Sequence, residues 1–462
     1  MRMRGFAIAA VPVLAAALVT TGYLEAGAVG PPSGIVAKPI PPGYNFPTAK
    51  ATIDGWIAAG NTAAIRGHAW DLWAGMTAAS GQIYQGKNLP IWDTWFGSEE
   101  LFPAPGALKV TSLASLRTAA RQPTHKFIQP HQFTHDKKLL AATAALGPAD
   151  ARVVSFNKFD PDAAAFIVTP HPGPAGKNYA YNTAAGLGAL NNAWPTGTSG
   201  QDRGIVDFTN TSIETKPVMS LVKATGLTPL PLWQGPGGAT NATNPTPNTW
   251  KTCVLIDPKG TTTGVAPATP AQIAAANKTP GLACTTYLYG SLNLLYHFVL
   301  SAVDAQAFHN AQGGHAVAGD FAVLSAMHVN TKETKNWTWQ TFYWQPGADT
   351  PNGFPGSKAG QPANVVSPWN NYAMCTAYDQ VVKLGSKQMQ VCFNPYLETS
   401  PSIPAGITSN CMSCHGVGVV NAAASPYPPA YKSPIDFFHD ATYFNGKTTH
   451  TDFSWAVPDD AQ

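Results

Sequence analysis

Charge is what this 462-residue sequence has least of. Asp, Glu, Lys and Arg make up 11% of the chain, against roughly 25% in an average soluble protein. The 28 basic and 25 acidic residues leave a net charge of +3, which is no footprint for nucleic acid or an anionic lipid surface. Long apolar runs are missing too. The stretch from Gly5 to Val19 is shorter than the ~18 to 20 residues that span a bilayer, and Leu292 to Ala307 is broken by Asn293, His297 and Asp304. No stable membrane insertion is expected. Neither Gly-x-Ser-x-Gly nor His-Glu-x-x-His occurs, so the common hydrolytic signatures are absent. The glycines at Gly313, Gly314, Gly353 and Gly356 lack the strand-to-helix context of a phosphate loop. No internal repeat suggests a solenoid or propeller.

Glycine and proline are plentiful in compensation, 42 and 41 residues, implying long irregular connections and a neutral polar surface. The N-terminus has Arg2 and Arg4 ahead of the apolar run, then Ala26-Gly27-Ala28 as a small-x-small site. This is the layout of a cleavable signal peptide, predicting cleavage after Ala28 and a periplasmic or otherwise exported product. No cysteine stands near that point to carry a lipid. The 462 residues exceed the ~250 to 300 at which single cores usually divide.

Cysteine is scarce but patterned. Cys411, Cys414 and His415 form Cys-x-x-Cys-His, leaving Cys253, Cys284, Cys375 and Cys392. In an oxidising compartment unpaired thiols are uncommon. Four cysteines permit three pairings, and short-range closure favours Cys253 with Cys284 and Cys375 with Cys392. Each bridge would contribute about 3 kcal/mol through the unfolded state. None of the four has the close-spaced Cys or His partner that a zinc site needs.

The Cys-x-x-Cys-His spacing suits two thiols adding to the vinyl groups of a haem, with the adjacent imidazole turned onto the iron. A thioredoxin-like dithiol would instead open a helix straight after a buried strand, whereas here the segment SPSIPAGITSN precedes it. The expectation is one covalent haem c held by Cys411 and Cys414, with His415 as proximal ligand.

Along the chain, Ala49 to Ala79 has helical spacing, with Ile53, Trp56, Ile57, Ala64, Trp70, Trp73 and Met76 near one face. Leu139–Leu146 and Tyr179–Trp194 are further helical candidates. From Arg152 the texture reads as strands, in RVVSFNKF, AAFIVTP, GIVDFTN, PLPLWQG and KTCVLIDP. One long helix is expected near Tyr289–Ala311. Residues 319–346 predict a hairpin, Phe321–Asn330 with Trp337–Trp344, joined by a polar turn carrying Lys332, Glu333 and Lys335. Period-2 geometry puts Ala322, Leu324, Ala326 and His328 on one face. In the second strand Trp337, Trp339, Thr341 and Tyr343 oppose Thr338, Gln340, Phe342 and Trp344.

The exported chain, the His-x-x-Thr-Lys of residues 328–332, the Trp-x-Trp-x-Thr-Phe of 337–342, Asn-Pro-Tyr-Leu-Glu at 394–398 and SNCMSCH at 409–415 together resemble bacterial exported monohaem cytochrome c family proteins. The resemblance covers residues 319–344 and 394–418. It implies a single haem c and a redox role, with a partner protein or a small molecule as electron donor or acceptor; it implies no substrate. Unlike small carrier cytochromes, the motif lies at the end of the chain and no Met follows it. Distal candidates are His439 and His450 downstream, or His328, Met327, Met374 and Met389 upstream. His328 is the expected distal ligand, with His439 next.

The expected fold is α+β: a central antiparallel, sandwich-like sheet assembly, N-terminal helices and a small C-terminal cytochrome c-like haem region. The expected divisions are a signal peptide at 1–28, a mostly helical region at 29–150, a β-rich core at 151–393 and a haem-binding region at 394–462. Electron transfer is the expected function. The alternatives are a haem c-dependent oxidoreductase with its pocket in the β-rich part, or a haem-based sensor of small ligands.

Overall fold

The computed structural model describes residues 34–104, 110–116, 121–129, 154–235, 246–312, 315–349, 356–399, 406–420, 434–437 and 446–461. The expected signal peptide, the helical candidate Leu139–Leu146 and His439 lie outside them. Over the described residues the architecture is α+β, built on mostly antiparallel sheets with few helices. No described helix is long and apolar enough to cross a membrane.

Two helices, α1 (Lys50–Ala59) and α2 (Thr62–Thr77), stand where one amphipathic segment is expected. Gly60 takes the left-handed conformation that ends α1 and donates to the Ile57 and Trp56 carbonyls, a backbone state glycine adopts without steric cost. Asn61 then caps α2, its side chain accepting from Ala64 N. The other helical candidate is shorter than expected: Thr183 caps a helix over Ala184–Ala193, accepting from Gly186 N.

Among the described residues the main sheet has eight strands. They are β1 (Phe96–Gly97), β2 (Val154–Ser155), β3 (Lys158–Phe159), β4 (Ile213–Val222), β5 (His297–Val299), β6 (Phe321–Thr331), β7 (Thr338–Trp344) and β8 (Tyr372–Thr376). Their order is β8-β7-β6-β4-β3-β1, with β5 paired to β6 and β2 to β4. All these pairings are antiparallel. A second, four-stranded sheet contains Thr228–Pro231, Thr252–Asp257, Thr286–Ser291 and Ala266–Pro267. Both short-range cysteine closures are present, Cys253–Cys284 and Cys375–Cys392, each with Cα atoms 5.7 Å apart.

Three expected elements are different. AAFIVTP is the end of a helix, Pro161–Val168. Asp160 caps it by accepting from Ala163 N, and Pro161 occupies the first turn; this start signal outweighs the β-branched tail. GIVDFTN forms no strand, only a single bridge from Gly204 to His450. The long helix at Tyr289–Ala311 is instead the end of Thr286–Ser291, a short 3-10 turn, β5, and a helix over Ala302–Gln312. Parallel pairing of Thr286–Ser291 with Thr252–Asp257 claims the first part, and Ser301 starts the helix by accepting from Asp304 N.

The β6–β7 hairpin is present, and every residue of β7 is buried. A bulge in β6 changes one detail. The register against β4 shifts between Leu324 and Ala326, so alternation breaks there. Met327 and Val329, rather than Ala326 and His328, join the core that holds Ala322 and Leu324. His328 is thereby turned to the other side of the sheet.

One side packs against α2, where Trp73 stacks on Phe342 with ring centroids 4.1 Å apart and planes at 15°. The other side buries Trp337, Trp339, Cys375 and Cys392 with Cys411, Met412 and Phe453. A buried ion cluster pins the β1 segment to β3. Lys158 Nζ donates to the carbonyls of Asp93 and Trp95, and the Asp93 carboxylate accepts from His125 at 2.9 Å and Tyr296 at 2.6 Å. Burial alone would push Asp93 up, but His125 and Lys158 hold it well below the usual carboxylate range.

Trp73 is fully buried and also donates from Nε1 to the Trp369 carbonyl at 3.2 Å. Trp73→Ala should cost about 3 to 5 kcal/mol, measured as a lowered urea midpoint with an unchanged slope.

Candidate functional site

The Cys-x-x-Cys-His segment forms a single helical turn, Cys411–His415. Asn410 starts it: Oδ1 accepts from Ser413 N at 2.9 Å, and Nδ2 donates to the carbonyls of Gln380 and Gln390 at 3.1 and 2.7 Å. Behind the cap, Cys392 N donates to Ser409 O, and the Cys375–Cys392 bridge ties that segment to β8. The turn is thus moored to the sheet by a cap, a backbone bond and a disulfide. Cys411 and Cys414 are not bridged to each other.

His415 Nδ1 lies 2.9 Å from Phe453 O. Since a carbonyl only accepts, Nδ1 carries the proton and Nε2 keeps its lone pair. The ring packs on Trp339, centroids 4.4 Å apart. Burial, the nearby Lys216 and His328 pull its pKa down to about 3, so the imidazole is neutral across the physiological range. The Phe453 carbonyl is held in place at some cost. Asp452 and Phe453 have φ of 49° and 67°, left-handed values uncommon for residues other than glycine. Asp452 is fixed by Lys332 Nζ at 2.5 Å and Phe208 N at 2.9 Å, and Ser454 Oγ donates to Glu214 at 2.7 Å.

His328 reaches the same place from β6. Its Nε2 lies 2.8 Å from Glu398 Oε1, and its Nδ1 lies 3.7 Å from Cys411 Sγ. Glu398 in turn accepts from Asn394 N, and Asn394 Nδ2 donates to Thr341 Oγ1 at 2.9 Å. His328 and His415 line one narrow cleft, together with Glu214, Lys216, Asn330, Trp455, Asp459 and Asp460. The expected distal ligand therefore lies at the motif, with both ring nitrogens engaged by protein partners. Of the other candidates, Met327 and Met374 pack in the core on the far side of the sheet. His450 lines a separate cleft with Gly416 and Phe437, and His439 lies outside the described residues. Among the described residues, no group of three or more His, Cys, Asp or Glu side chains is arranged to hold a metal ion.

Several site residues carry no sequence signal of their own. Glu214 and Lys216 come from β4, Glu398 from the segment after β8, and Phe453 and Trp455 from the C-terminal segment. Only Glu398 lies inside a stretch with a recognisable pattern, Asn-Pro-Tyr-Leu-Glu. Trp455 Nε1 donates to Cys414 O at 3.1 Å, closing the other side of the turn.

No family model matches the chain, and neither a curated protein nor a solved structure matches it.

Burial raises the Glu214 pKa to about 7, with Asp452 and Asp460 adding to the rise and hydrogen bonds from Ser454 and Asn330 opposing it. The neutral carboxyl's contribution is full below the ordinary value of 4.5 and is lost as pH climbs through about 7. Glu214→Gln stays neutral, so the stability of wild type relative to this variant should fall between about pH 5 and about pH 8. Urea midpoints at the two pH values give the comparison; a constant difference would mean that Glu214 does not titrate in this window.

Proposed function

We propose that this chain is an exported c-type cytochrome that carries one covalent haem on its C-terminal region and transfers electrons. Cys411 and Cys414 would supply the thioether sulfurs and His415 the proximal nitrogen. Haem c, when bound, supplies a one-electron couple whose potential depends on ligands, hydrogen bonds and burial. The observation that carries this reading is His415: a neutral imidazole on the cleft wall, with Nδ1 committed to Phe453 O and the lone pair therefore left on Nε2. Metal-bound histidines are oriented in this way by an acceptor on the opposite nitrogen. The donor set agrees, because the two thiols on the motif turn are unbridged while the other four cysteines pair. Export is supported by the N-terminal layout and by the two disulfides. A single haem also requires a redox partner, a protein or a small molecule.

A second reading, a haem c-dependent oxidoreductase, is favoured by the lining of the cleft. Glu214, Lys216, Asn330, Asp459 and Asp460 put more ionisable and polar groups there than holding a cofactor requires.

Protein made with haem-attachment machinery should keep its haem through acid-organic extraction, and the double variant Cys411→Ser, Cys414→Ser should not. Wild type without covalent haem would overturn the reading. In the dithionite-reduced form, an absorption spectrum unmoved by carbon monoxide supports the electron carrier, and a prompt shift supports the oxidoreductase. His415→Ala should keep the covalent link but change the reduced spectrum, because the thioethers do not depend on the iron ligand.

A further inference from the structure

We propose that His328, held by Glu398, is the base that serves Cys411 when its thioether forms; this rests on the haem reading above. The geometry is that of a thiol facing an oriented base. Glu398 is a carboxylate that only accepts, so the 2.8 Å contact makes His328 Nε2 the protonated nitrogen. Nδ1 then bears the lone pair, and it faces Cys411 Sγ at 3.7 Å. The order carboxylate, imidazole, thiol is the arrangement in which a base oriented by a third group takes a nucleophile's proton. Glu398 is itself fixed, accepting Asn394 N at 2.5 Å, and Asn394 is fully buried.

Two further observations point the same way. The β6 bulge at Ser325 turns His328 towards the motif and out of the core that Ala322 and Leu324 occupy, and bulges commonly re-aim side chains beside functional sites. Cys411 is also the thiol in need of help. Burial and the nearby Glu398 charge keep its proton on, and the thiolate is the reactive form of cysteine. Cys414 is more exposed and packs on a different side, with Val417 and Trp455.

The step balances as an addition. The Cys411 S–H bond breaks and the sulfur bonds to the inner carbon of a haem vinyl group. The proton, carried by His328 Nδ1, ends on the outer vinyl carbon. Thiol and vinyl become thioether, with no net oxidation or reduction and nothing released. Glu398 stabilises the transient imidazolium. Once the sulfur is a thioether it has no proton to donate, and its bond to Nδ1 is gone.

The test uses His328→Ala and Glu398→Gln in the full chain. The second variant keeps the shape of the side chain and guards against a folding defect in the first. With haem-attachment machinery, thioether bonds are counted by peptide mass and by the pyridine haemochrome spectrum, in which a surviving vinyl moves the reduced band to longer wavelength. Wild type should carry two; both variants should accumulate product joined through Cys414 alone. In chain made without that machinery, 4-vinylpyridine, which adds thiols across its own double bond, should modify Cys411 on the order of 10²-fold more slowly in the variants. Two thioethers and unchanged Cys411 rates in both variants would overturn the inference. Wild type with no covalent haem would overturn the haem reading beneath it, and the vinylpyridine rates would still report whether His328 serves Cys411.

Discussion

The long hairpin β6–β7 is buried on both faces, and this constraint organises the rest of the molecule. A strand with solvent on one side needs only one set of apolar residues; β7 is covered completely, so each of its faces must find a partner. Phe342 and Trp344 pack with Trp70 and Trp73 of α2, while Trp337 and Trp339 lie under the C-terminal segments. The Cys-x-x-Cys-His turn is one of the pieces covering that second face. Its position follows from the sheet needing a lid.

The same placement explains why so many weak ties converge on a turn of five residues. An isolated helical turn of that length has no stability of its own, since nucleation fixes more backbone than its few hydrogen bonds repay. Here Asn410 caps it, the Cys375–Cys392 bridge anchors the approach to it, and the Phe453 carbonyl and Trp455 indole hold its exit. The left-handed backbone at Asp452 and Phe453 is tolerated because Lys332, Phe208 and Glu214 restrain that segment from three sides. Strain of this kind persists only where the surroundings over-determine it.

The short motifs that were separate in the chain meet at this site. His328 and Lys332 come from one strand and its turn, Trp339 and Thr341 from the next, Asn394 and Glu398 from the segment after β8, and His415 from the motif turn. Each contacts another member: His328 with Glu398 and Cys411, Trp339 with His415, and Asn394 with Thr341. Lys332 reaches Asp452, one residue before the carbonyl that orients His415. Spacing along the chain is explained by register across the hairpin: His328 stands opposite Thr341, and Asn330 opposite Trp339.

What the sequence determined by itself was whatever rests on local chemistry. The hairpin was legible because aromatic and β-branched residues alternate on either side of a polar turn, and the disulfide pairing because short loops close most readily. Misread segments were those where a competing local signal or a distant partner prevailed. Asp160 and Pro161 start a helix that Phe166, Ile167 and Val168 obscure, and pairing with Thr252–Asp257 draws Thr286–Ser291 out of an apparent helix. The tertiary structure alone decided where His328 points, because one extra residue in β6 inverts the alternation beyond it. It alone brought Glu398, Lys216 and the Phe453 carbonyl to the motif, since residues far apart in the chain become neighbours only when a sheet buried on both faces gathers its cover.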